Sequence, residues 1–211
     1  MRPRAPAVAA ILCGVGWAVG IPLVASEASA DPVGLRYDDW NRVLLAPLLL
    51  LVIALAGLRE VQLDRLSRWG RRGALAALGG AALMVLGNVV EFWLVVLSDR
   101  EVFAIADPRG LDPWMGSTVG WIAFLLGSLL LLFGGVLLGI GTGRAGVLSS
   151  WVGFLVGLTS PVLLFAFVLW TVSVPAAAVP AAVLGLAWVA VGVELYRYSL
   201  GTSTGGAASS T

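Results

Sequence analysis

The chain has no histidine, and all 13 of its basic residues are arginine, so lysine is absent as well. Its one cysteine, Cys13, lies inside an apolar run. These absences remove whole classes of chemistry. Without histidine there is no His-ligated haem, no HExxH metalloprotease and no Ser-His-Asp hydrolase. Without lysine there is no retinal-type Schiff base. A lone cysteine can form neither an intrachain disulfide nor a CxxC redox pair nor a thiolate metal cluster. No GxSxG elbow, phosphate-cradling glycine loop or pair of catalytic carboxylates occurs. No metal, cofactor or nucleic-acid partner is therefore expected.

Charge is also scarce. Only 12% of the 211 residues are charged, against roughly 25% in a soluble domain, while 59% are hydrophobic and the mean hydropathy is +0.97. A water-soluble fold of this size could not hide so much apolar surface. Crossing a hydrocarbon core of about 30 Å takes about 20 helical residues. Six apolar windows approach or exceed that length, at 7–25, 43–58, 74–97, 116–141, 147–172 and 176–196. The second is short and borrows Trp40 to Arg42 and Arg59 at its ends, where aromatic and arginine side chains suit the interface. The expected fold is an all-α integral membrane protein: one six-transmembrane-helix bundle over residues 1–198, then a disordered polar tail over 199–211.

Arginine sets the orientation. The segments before the first window and after the second, fourth and sixth carry nine arginines, and the others carry four. The positive-inside rule puts the nine, and with them both termini, in the cytoplasm. Trp40, Trp114 and Trp170 then fall at the outer boundary and Trp69 and Trp151 at the inner one. The arginine-only, Gly/Ala-rich composition suggests a GC-rich genome, hence a multi-pass protein of the cell membrane, here a bacterial inner membrane. The N-terminus has a second reading: Arg2 and Arg4, an apolar run and Ala28-Ser29-Ala30 fit a cleavable signal peptide, which would leave five helices. The apolar run of about 20 residues exceeds the 7 to 15 of a signal core and favours retention.

The segment 59–73 (REVQLDRLSRWGRRG) spaces Leu63, Leu66 and Trp69 three apart with arginines between them. It reads as a cytoplasmic helix lying on the bilayer with anionic lipid headgroups as partners, or as an ordinary positive-inside loop. Val15-Gly16-Trp17 returns as Val119-Gly120-Trp121, Val43-Leu44 as Val147-Leu148, and Val90-Glu91-Phe92-Trp93 is answered by Val193-Glu194-Leu195-Tyr196. The offset is 104 and then 103 residues. A duplicated three-helix half enters the membrane inverted, as in many transporters. The matches are short, and Val, Leu and Gly are abundant enough to produce some by chance.

Three patterns stand out inside the windows. Gly120, Gly127, Gly134 and Gly141 recur every seven residues, and Gly153 and Gly157 form a GxxxG pair, the small-residue stripes along which helices approach closely in lipid. They offer a packing face within the chain, towards a second copy in a homo-oligomer, or towards a partner membrane subunit. Glu91 is the acidic residue well inside a window, six residues and about 9 Å from its outer end. Asn88 precedes it by one turn on the face that also carries Gly73, Ala77, Gly80, Met84 and Gly87. A carboxylate in hydrocarbon needs a partner, a proton or water, so Glu91 is either a proton-, ion- or substrate-binding group or a structural residue paired with Arg100 or Arg109. Thr159-Ser160-Pro161 could break the fifth helix, as in discontinuous transporter helices, or simply kink it.

Two functions follow. One is a small transporter or channel for a proton, cation or small solute, with Glu91 and Asn88 at its site. The other is a non-catalytic accessory or assembly subunit that receives partner helices on its glycine faces. An enzyme is the least favoured class.

Overall fold

The computed structural model describes residues 4–27, 42, 44–90, 118–172 and 174–205, and among these every regular element is helical. The helices are α1 (Arg4–Glu27), α2 (Leu45–Gln62), α3 (Arg68–Val89), α4 (Thr118–Ala145), α5 (Ser150–Val172) and α6 (Val174–Gly205). In an apolar solvent a helix satisfies its own backbone, which these Leu-, Ala- and Val-rich segments do with few polar interruptions. The ends carry local signals. Ser67 has extended backbone (φ −61°, ψ 166°), and its Oγ accepts from Gly70 N–H at 3.2 Å, capping α3. Gly146, directly after α4, takes φ 65°, the left-handed conformation that closes a helix C-terminus.

Among the described residues four helices are long and apolar enough to cross a membrane: α1 over Arg4–Leu23, α2 over Leu45–Gln62, α4 over Ile122–Ala145 and α6 over Ala176–Gly201. The apolar stretch described in α5, Ser150–Ala166, is shorter. The first turn of α3 holds Arg68, Arg71 and Arg72, and this helix is the least apolar of the six. Large apolar side chains cover the outside, including Phe133, Phe154, Phe165 and Leu186, each more than half exposed. So wide an apolar exterior suits lipid and not water.

The helices form a ring. Each packs on its neighbour in sequence, and α1 closes the circle against α6; α3/α4 and α1/α6 are the two most extensive contacts. The interior combines small residues at the helix contacts (Ala7, Ala10, Ala74, Ala77, Ala81, Ala181) with larger ones filling the space between (Leu48, Leu55, Met84, Leu138, Leu195).

Several expectations need correction. α6 runs on to Gly205, so residues 199–205 continue the helix where a disordered tail was expected; Ser199 is buried and its Oγ donates to Tyr196 O at 2.6 Å. The segment 59–73 is not one surface helix. Arg59 to Gln62 finish α2, a turn follows, and α3 starts at Arg68, so Leu66 points inward at 4% exposure while Trp69 points out at 63%. Finally, α5 is unbroken through Pro161.

Candidate functional site

Glu91, and with it the pairing to Arg100 or Arg109, lies outside the described residues. Asn88 is within them, 3% exposed near the C-terminal end of α3 at the α3/α4 contact. Gly87, beside it, faces Gly120: a methyl group there would lie 2.8 Å from Gly120 O and 3.0 Å from Phe124 N.

That geometry recurs along the seam. A methyl at Gly80 would lie 2.5 Å from both Gly127 O and Leu131 N, and one at Gly127 would lie 2.7 Å from Gly80 O and 2.9 Å from Met84 N. Gly134 abuts Ala77 and Gly73 O, and Gly141 lies against Gly70 Cα. The four heptad glycines of α4 thus face α3 of the same chain. A methyl at Gly153 would lie 2.5 Å from Gly139 O, and Gly139 abuts Gly157 N, so this pair joins α5 to the opposite side of α4. α1 and α6 meet in the same manner: Gly185 abuts Gly14 O with Ala18 N 2.6 Å from an added methyl, and one at Gly192 would lie 2.8 Å from Ala7 O and Ile11 N.

Thr159, Ser160 and Pro161 sit near the middle of α5. Thr159 Oγ1 donates to Val156 O at 2.9 Å, returning the hydroxyl to its own helix. Ser160 directs its hydroxyl at Gly135 of α4, where a side chain larger than hydrogen would collide. Both residues are buried. They line a small cavity at the bundle centre, shared with Trp17 of α1, Leu51 of α2, Leu131 of α4 and Trp188 of α6. Its free space is about that of one water molecule. Trp17 is 5% exposed, and its indole Nε1–H makes no hydrogen bond among the described residues. The Cys13 thiol lies one turn back on the same face, within interaction range but a weak acceptor. From the sequence Trp17 enters only as part of the Val15-Gly16-Trp17 repeat match, and Trp188 not at all. The available signal was position: transmembrane tryptophans gather at the two interfaces, and these two lie mid-helix.

A second polar group occupies the end of the bundle where α2 and α4 finish. Gln62 and Thr142 are fully buried, and Gln62 Nε2 donates to Leu58 O at 3.0 Å. Ser149 Oγ donates to Glu194 Oε1, tying the α4–α5 connection to α6, and Arg197 Nη1 lies 3.9 Å from Glu194 Oε2. Arg197 is well exposed, so this pair contributes at most about 1 kcal/mol. Among the described residues no three metal-ligating side chains come together. Comparison with protein-family models, curated proteins and solved structures finds no match to this chain.

Proposed function

We infer that the chain is a small six-span transporter or channel for a proton, cation or small solute, built from two inverted three-helix halves with both termini cytoplasmic. The observation that carries this reading is the likeness of two helix contacts. Exchanging the halves turns α1 into α4 and α3 into α6, which makes α3/α4 and α6/α1 counterparts. These are the two most extensive contacts in the ring. In both, as also at the α4/α5 seam within one half, a glycine lies over the carbonyl oxygen of one residue and the N–H four residues on: Gly80 over Gly127 and Leu131, Gly185 over Gly14 and Ala18. Both contacts join one half to the other, where inverted halves move in alternating access.

Glu91 supplies the protonatable or coordinating group in this reading, with Asn88 one turn before it at a half-to-half seam. The accessory-subunit reading is less well supported, because the glycine faces it would offer to partner helices are taken up within the chain. Purified protein in liposomes tests the choice, with proton flux read by an internal pH dye and sodium or potassium flux by an ion-sensitive one. The wild type should exceed empty vesicles by at least about tenfold, a difference of about 1.4 kcal/mol in barrier, and Glu91→Gln should return flux to background while keeping the fold. Wild-type flux no greater than that of empty vesicles, or undiminished transport by Glu91→Gln, would favour the accessory subunit.

A further inference from the structure

We propose that the cavity at the centre of the bundle is a binding site for a single water molecule, which ties Trp17 of α1 to Thr159 and Ser160 of α5. The lining residues select the guest. Trp17 Nε1–H can only donate, and it is buried with nothing but the Cys13 thiol, a weak acceptor, within its reach among the described residues. Thr159 has already given its hydrogen to Val156 O, so its Oγ1 has only lone pairs to offer. The Ser160 hydroxyl can serve either way. A guest must therefore accept from Trp17 and donate to Thr159, in a space about the size of one water.

Other guests fail on one of these terms. No lining residue is ionisable, so a cation finds no carboxylate and an anion meets the Thr159 lone pairs without a compensating charge. A methane-sized apolar guest leaves the Trp17 donor unmet. Water accepts, donates and fits, and these groups give it the two to four polar partners that buried waters have. Helices from both halves line the site near their midpoints, so the water is a polar tie across the middle of the bundle. This holds whether or not the chain transports anything.

The full chain labelled with 15N-tryptophan, in lipid nanodiscs, tests the proposal. Its nine tryptophans give nine indole signals, and Trp17→Phe removes one and so assigns it. The Trp17 indole proton should show magnetisation transfer to water, and Thr159→Val should abolish that transfer and move the signal upfield. A Trp17 signal without transfer to water, or one that moves only on Cys13→Ala, would overturn the proposal in favour of a dry donor resting on the thiol. Should Trp17→Phe not fold, a wild-type crystal or cryo-EM map that resolves buried waters decides. Water density within about 3 Å of both Trp17 Nε1 and Thr159 Oγ1 is expected, and its absence where other buried waters are visible would refute the site.

Discussion

Gly79 and Gly80 are adjacent in α3 and meet opposite environments. A methyl at Gly79 would touch nothing within 4 Å, whereas one at Gly80 would lie 2.5 Å from the α4 backbone. Gly79→Ala should therefore be neutral or stabilising by up to about 1 kcal/mol, through helix propensity alone. Gly80→Ala should cost roughly 1 to 3 kcal/mol, because only backbone movement can relieve the overlap. Unfolding in mixed micelles measures both, and equal effects would mean that the α3/α4 seam is looser than described. The seven-residue spacing of Gly120, Gly127, Gly134 and Gly141 was legible in the sequence, as was the α3 face carrying Gly73, Gly80 and Gly87. That these two stripes oppose each other was not, because a small-residue stripe marks a face without naming its partner. The burial of Trp17 was not legible for a related reason: an indole buried against helices and one facing lipid have the same local sequence context.

For whole helices, apolar runs located the helices, four of which are long and apolar enough among the described residues to cross a membrane, but polar residues misled at the ends. Ser199 extends α6 where a tail was expected, since its hydroxyl bonds to Tyr196 O on its own helix and it is buried. Thr159-Ser160-Pro161 leaves α5 continuous for a similar reason. The Thr159 hydroxyl returns to the helix, and Pro161 forgoes only the bond to the carbonyl four residues back. Hydropathy cannot register hydroxyls that serve their own backbone. We propose that α1 is retained and not cleaved as a leader. Its Gly14 abuts Gly185 O, and a methyl at its Gly16 would lie 2.8 Å from Pro47 Cβ, so it is packed between α2 and α6. Intact mass spectrometry of membrane-extracted protein should find residues 1–30 retained. A mature N-terminus at Asp31 would refute this and would leave the glycine face of α6 bare.

At the scale of the whole molecule, the nine-to-four arginine asymmetry and the closed ring make separate demands, and one experiment addresses the first. Reporter fusions after Arg72 and after Ser199 should give cytoplasmic signals and one after Asp107 an external signal; an external signal after Arg72 would invert the proposed topology. The ring itself bears on biosynthesis. Its α1/α6 contact joins the earliest of the described helices to the latest, with Gly14 and Gly185 separated by 171 positions. At 5 to 20 residues per second, roughly 10 to 30 s pass between the translation of these two glycines. Until α6 is released from the ribosome, the nascent chain is an open horseshoe whose leading helix has one contact face uncovered. Closure of the ring thus waits for α6, and a chain that stops short of it is left with an unclosed edge.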